Sequence, residues 1–171
     1  MRPKRILQDG AVYYVSSKVD HDAMGLIAVE VKKEFMAFIQ RAHKKFKFEL
    51  INFQIMDNHF NFLIKPGKGE SLSDIMQWIK CNFAKYWNVL HNTKGHFWGG
   101  RFFSRIIKNA KDFWKTFLYI DDNAVEEKSV KSPLDWIFGG AWFHKNGKMP
   151  IVEVPEWGSV RDMAPYHLPA G

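Results

Sequence analysis

The sequence predicts an α+β fold: an antiparallel sheet with helices on one face and one further helix near the C-terminal end. Three observations carry this. Segments of period-two alternation and segments with apolar residues at three- and four-residue steps follow in the order β-α-β-β-α-β-α. The two central strand-like segments are separated only by Asp57-Asn58, which makes them a hairpin. The chain has 171 residues, 46% of them hydrophobic, which suits a single domain with its own core.

Residues 11–19 (AVYYVSSKV) are rich in β-branched and aromatic types and read as the first strand. Residues 26–43 place Leu26, Val29, Phe35, Phe38, Ile39 and Ala42 near one helical face. Residues 46–56 alternate, with Phe53 and Ile55 to one side and Asn52 and Gln54 to the other. Residues 59–65 alternate again, and Pro66-Gly67-Lys68-Gly69 closes the hairpin. Ser71 with Asp74 resembles a capping box, followed by Leu72, Ile75, Met76, Ile79, Phe83, Trp87 and Leu90 at helical spacing. Residues 97–108 read as a loop running into a strand, and Asp112 as the cap of a helix reaching about Glu126, with Phe113, Phe117 and Ile120 on its buried side. This order is the ferredoxin-like split βαβ plan with an added helix. The chain beyond Lys131 reads as irregular; residues 1–143 are expected to form the domain and 144–171 a C-terminal tail.

Composition narrows the function classes. The single cysteine, Cys81, excludes an intrachain disulfide and a cysteine-based zinc site. No run of 18 apolar residues is present, and Met1-Arg2-Pro3-Lys4-Arg5 lacks a signal peptide's apolar stretch, so a soluble cytoplasmic protein with no membrane partner is expected. The net charge of +7 is uneven: residues 1–111 hold 19 Lys/Arg against 9 Asp/Glu, a net of +10, whereas residues 112–171 carry a net of −3. A basic body suits a polyanion, because neutralising phosphates releases counterions; it equally suits a solvated surface with no special partner.

Three segments bear chemistry. In Met56–Ile64, His59 and Asn61 share one face of a strand while Phe60, Phe62 and Ile64 take the other. A ring nitrogen and an amide oxygen side by side are metal-ligand types, the oxygen favouring a hard ion such as Mg²⁺; the same residues suit a solvated sheet face. On the last helix Tyr119 shares a face with Lys115, Thr116, Asp122 and Asn123, opposite Phe113, Phe117 and Ile120. A tyrosine so presented is a candidate nucleophile, or an amphipathic residue at the core edge. His96–Arg105 mixes aromatics, glycines and arginines. Its aromatic faces can stack unpaired bases while arginine holds phosphates, or it can be a glycine turn into a buried aromatic strand.

Together, MDNHFNFLI (56–64), SLSDIMQWIK (71–80), HFWGGRFFSRII (96–107) and YIDDNA (119–124) resemble the single-tyrosine HUH transposase family, in particular its REP-associated tyrosine transposase branch, over about residues 5–143. The resemblance implies nicking and joining of single-stranded DNA through a 5′-phosphotyrosine intermediate. Tyr119 would be the nucleophile, and His59, Asn61 and Asn123 the positions of the ligands of a divalent metal, Mg²⁺ or Mn²⁺. Arg101, Arg105, Lys115 and Trp98 are the DNA-binding candidates, Arg101 and Lys115 by their chemistry. The partner implied is single-stranded or hairpin DNA, and relatives allow a homodimer. The motif departs in three places: Asn61 stands where the family has its second histidine, Asp57 where it has a proline, and Ala124 where it has the proline after Asn123. The alternative function is therefore a domesticated relative that binds DNA hairpins without cutting them. A third reading, an RNA-binding domain stacking bases on Phe60 and Phe62, requires an open sheet face there.

Overall fold

The computed structural model describes residues 4–5, 7–22 and 25–146. Its elements are β1 (Tyr13–Lys18), α1 (Val29–Lys45), β2 (Phe48–Ile55), β3 (His59–Pro66), α2 (Leu72–His91), β4 (Phe103–Ile106), α3 (Ala110–Glu126) and α4 (Gly140–Asn146). All strand pairs are antiparallel, in the order β2-β3-β1-β4. This is the expected ferredoxin-like sheet.

The alternation of each strand sorts its side chains between two cores. Val15, Phe53, Ile55, Phe60, Phe62 and Ile64 pack against α1 and α2, with Phe35, Ile79 and Phe83 from the helices. Phe60 and Phe62 therefore lie under helices, which removes the open platform that RNA stacking would need. Val12, Ile51 and Leu63 face the other way, where α3 covers them with Phe113, Phe117 and Ile120. Each fully buried side chain of this size is worth roughly 1.5–3 kcal/mol, so α3 is fixed firmly on its face. A bulge in β2 serves both cores. The register jumps from Leu50↔Ile64 to Asn52↔Leu63, so Leu50 and Phe53 share one face while Ile51 and Asn52 turn to α3.

Helix ends follow local rules with one change. The Ser71 hydroxyl accepts from the Asp74 N–H at 3.3 Å, as expected. α3 is capped by Asn109, whose side chain accepts from the Asp112 N–H at 2.9 Å, not by Asp112 itself. Asp112 instead sits in the first turn and accepts from the Lys108 N–H at 2.9 Å. Both side chains satisfy otherwise unpaired amides at that end. Val29 and Leu90, expected on core-facing stripes, are solvent-exposed at the ends of their helices.

The segment beyond Lys131 is more ordered than expected. The Ile55 N–H donates to the Phe138 carbonyl at 2.9 Å, and the Trp136 indole N–H donates to the Ile55 carbonyl at 3.1 Å. A short helix, α4, follows and places a buried His144 with Nε2 3.0 Å from the Ile51 carbonyl. This cover protects the outer edge of β2. Gly139 and Gly140 lie so near the amide ends of Gln54 and Asn52 that an added Cβ would overlap their oxygens. Residues 147–171, most of the expected tail, lie outside the described residues. Among the described residues no helix is long and apolar enough to cross a membrane.

Candidate active site

The site begins with the turn between β2 and β3. The Val19 N–H donates to the Asn58 carbonyl at 2.8 Å, and the Leu26 N–H to the Asp57 carbonyl at 2.9 Å. The buried Lys32 ammonium reaches from α1 to the Asp57 carboxylate at 2.6 Å and to the Ile27 carbonyl at 3.0 Å. Asp57 thus fixes this turn by an ion pair where a proline would fix it by its ring. The turn delivers His59 as the first residue of β3. Its Nδ1 lies 2.8 Å from the Asn58 side-chain oxygen and its Nε2 lies 2.9 Å from Asn123 Oδ1. With Nδ1–H donating to Asn58, the lone pair of Nε2 faces Asn123.

Lys115, Tyr119, Asn123 and Glu127 recur at four-residue steps and form one stripe along α3 and its C-cap. Tyr119 is half-exposed, whereas Asn123 is buried. Glu127 brings a carboxylate oxygen within 3.9 Å of His59 Nε2. Asn61 is also buried, because α3 covers its face; the solvated sheet face considered for it is not present. The Tyr14 hydroxyl donates to Asn61 Oδ1 at 2.8 Å, and Asn61 Nδ2 points toward Asn123 Oδ1 at 3.5 Å. Asn61 therefore turns its oxygen to Tyr14 and its N–H groups toward the Asn123 oxygen. Burial, with the neighbouring Tyr119 as the next cause, pushes the Tyr14 phenol up to about 12. Its ring stands edge-on to Tyr119 at 6.1 Å between centroids.

Among the described residues no group of three or more His, Cys, Asp or Glu is placed to hold a metal ion. The donors that do converge are of mixed type: His59 Nε2 and Asn123 Oδ1, with Glu127 nearby. Adjacent ligands of an octahedral ion at about 2.0–2.1 Å are about 2.9 Å apart. The 2.9 Å separation of His59 Nε2 and Asn123 Oδ1 is an ordinary hydrogen-bond distance and also equals that spacing, so the pair is compatible with two adjacent ligands of a small divalent ion.

Beside Tyr119 an open groove of about 1150 Å³ is lined by Arg5, Tyr14, Arg101, Phe103, Arg105 and Lys115, among others. Arg101 and Lys115 are exposed in it. Arg105 is already engaged, donating to both Asp112 oxygens at 3.0 and 3.1 Å and to the Thr116 hydroxyl at 2.7 Å. Burial would raise the Asp112 carboxyl, but the Lys108 N–H and Arg105 outweigh it and hold the carboxyl below its usual range. Phe103 offers an exposed ring, edge-on to Tyr14 at 6.1 Å. Trp98 is buried among Phe35, Phe60, Phe83 and Phe97, and its indole N–H donates to the Lys80 carbonyl at 3.0 Å. Its ring faces are spent in the core, so it does not line the groove. Lys80, whose ammonium burial lowers to about 8 with help from Arg5, donates to the Gly100 carbonyl at 2.7 Å. Gly100 has φ 140°, and this glycine corner leads the chain out to Arg101.

The structure thus brings Tyr119, His59, Asn61 and Asn123 to one end of the α3–sheet interface, with Arg101, Arg105 and Lys115 along the adjoining groove. Three residues near the site were not singled out from sequence: Tyr14, Asn58 and Glu127. Asn58 lay within the quoted motif, and Glu127 continues the four-residue step from Tyr119 and Asn123. Tyr14 becomes visible only once β1 is paired with β3.

A search of curated proteins gives no match. A crystal structure of a candidate transposase from Deinococcus radiodurans R1 shares 13% identity at a TM-score of 0.50, covering 71% of this chain and 97% of that one. The structure of a REP-associated tyrosine transposase bound to a REP hairpin superposes at a TM-score of 0.73 with 20% identity, over 91% of this chain and 92% of that one. At these identities the likeness shows a shared fold. The family model described as "Transposase IS200 like" matches residues 23–123, which hold His59, Asn61, Tyr119 and Asn123. That match takes in more than half of the chain and confirms the family indicated by the motifs: this protein belongs to the IS200-like transposases.

Proposed function

We propose that this protein nicks and rejoins single-stranded DNA, with Tyr119 as nucleophile. The observation that carries the reading is the α3 stripe. It holds a half-exposed tyrosine over a basic groove and, one turn on, an asparagine whose oxygen meets His59 Nε2 at 2.9 Å. A DNA partner is supported by the structural neighbour, which is bound to a REP hairpin.

In this reading Arg101 and Lys115 hold phosphates of the strand, and the exposed Phe103 ring stacks an unpaired base. The Tyr119 oxygen attacks the scissile phosphorus. The P–O3′ bond breaks, the phenolic proton passes to solvent at the exposed edge of the ring, and O3′ leaves as a hydroxyl after taking up a proton. The products are a 5′-phosphotyrosine and a free 3′-OH; attack by a 3′-OH reverses the step and joins strands. His59 and Asn123 would hold Mg²⁺ or Mn²⁺, which when bound polarises the phosphate. His59 is oriented for this by Asn58 and by the Lys32–Asp57 turn.

A second reading is a binder of DNA hairpins that no longer cuts. One observation favours it: Asn61, in the place of a ligand histidine, gives its oxygen to Tyr14. The test is incubation with hairpin DNA and its single-stranded flanks in Mn²⁺ and in Mg²⁺, followed by a denaturing gel, with Tyr119→Phe alongside. A metal-dependent covalent band that vanishes in the variant supports nicking. Tight, salt-dependent binding with no band under either metal supports the second reading.

A further inference from the structure

Resting on the metal-assisted reading above, we propose that Glu127 is an anionic ligand of the ion held by His59 and Asn123, taking over the role vacated at Asn61. Glu127 lies one helical step beyond Asn123, and its N–H donates to the Asn123 carbonyl at 3.1 Å, which fixes its backbone at the end of α3. Its Oε1 is 3.9 Å from His59 Nε2. The Glu127 side chain is partly exposed, so solvent rather than packing surrounds much of it.

Charge points the same way. His59 as the neutral imidazole and Asn123 bring no negative charge to a dication. Two other carboxyl groups around the site are committed elsewhere: Asp57 to Lys32 at 2.6 Å, and the buried Asp121 to the Asn52 amide at 2.8 Å. Hard divalent ions bind through carboxylates by preference. Glu127 also sits at the negative end of the α3 dipole, and the last turn of α3 holds no basic residue. A carboxylate there is unfavourable alone and a cation is favourable, so a bound dication resolves the conflict.

The competing role is a simple ion pair between Glu127 and a protonated His59. Direct Mn²⁺ binding to the full chain, by calorimetry and electron paramagnetic resonance, separates the two. The proteins are the wild type, Glu127→Gln, Glu127→Ala and, as reference, His59→Ala, each checked for an unchanged melting profile. Glu127→Ala is expected to weaken Mn²⁺ binding by about tenfold or more, and Glu127→Gln, which keeps an oxygen without the charge, by less. If both Glu127 variants bind as the wild type does while His59→Ala does not, Glu127 is only an ion-pair partner and the metal reading survives. If the wild type binds no Mn²⁺, the inference and the metal part of the reading both fall.

Discussion

Asn123 on α3 reaches across the sheet interface to hold its side-chain oxygen 2.9 Å from Nε2 of His59 on β3. This contact joins the two halves of the site. One half is carried by a strand whose entry turn is fixed by Lys32 and Asp57, and the other by the helix that carries Tyr119. Anything that loosens either half is expected to act on both binding and chemistry.

Asn61 is the first place to act. Asn61→His puts a second imidazole beside His59 at the cost of the hydrogen bond from Tyr14. Mn²⁺ affinity measured by calorimetry is expected to rise by about tenfold. An unchanged affinity means that this position does not reach the ion.

The Tyr14 phenol, pushed up to about 12 mainly by burial, stays protonated and donates to Asn61 at any working pH. Its folded value lies above the ordinary 10.0, so its contribution to stability is complete below pH 10 and is lost as pH rises through about 12. Tyr14→Phe leaves the buried Asn61 oxygen unpaired and is expected to cost about 1–2 kcal/mol in denaturant unfolding. Loss of the tyrosinate absorbance step near pH 12 in that variant checks the assignment.

Stability against pH is set in part by two buried groups near α3. Burial raises the Asp121 carboxyl to about 8 from 3.8, so its proton is retained in the fold and stability falls as pH rises from 3.8 toward 8. Burial lowers His144 to about 4 from 6.5, so stability falls as pH drops from 6.5 toward 4. The two slopes oppose each other below pH 6.5, and only the Asp121 slope remains above it. Thermal melts are expected to decline between pH 6.5 and 8, by up to about 1.4 kcal/mol per pH unit from this group. Asp121→Asn should remove that decline; a decline that persists assigns it to another group.

The Lys32–Asp57 pair governs the entry to β3. Asp57→Ala strands the buried Lys32 ammonium. Because Asp57 is partly exposed, the expected loss is about 2 kcal/mol, below the roughly 3–5 kcal/mol of a fully buried pair. Urea unfolding measures it, and a loss under about 0.5 kcal/mol would place the stiffness of the turn in its backbone hydrogen bonds instead.

Arg101 and Lys115 are expected to act on phosphates. Alanine at either should weaken single-stranded DNA binding across sequences and reduce the slope of log affinity against log salt by about 0.7. Phe103→Ala should weaken binding by about 1–3 kcal/mol with the salt slope unchanged. A salt slope that does not move in the Arg101 and Lys115 variants places the strand outside the groove.

Much of this was legible in the sequence for a local reason. Strand alternation and helix spacing are properties of neighbouring residues, so β2, β3 and α2 lie close to where their patterns put them. The shared face of His59 and Asn61 was legible too. That α3 covers this face was not, because period-two alternation says which residues point together and nothing about what lies above them. The cap of α3 moved to Asn109 because Asx residues three apart compete for the same role. Trp98 looked like a stacking residue beside glycines and arginines, yet it lies in the aromatic core, where its N–H finds the Lys80 carbonyl. Tyr14 depended on the pairing of β1 with β3, a long-range register that no local pattern specifies.

The central claim is that Tyr119 is the nucleophile, and Tyr14, its ring 6.1 Å away, is the natural rival. The most direct test is peptide mapping by mass spectrometry of the protein after reaction with single-stranded hairpin DNA and Mn²⁺, followed by nuclease trimming. The account predicts a nucleotide attached through its 5′-phosphate to the peptide containing Tyr119. Attachment at Tyr14 or at any other residue would contradict it.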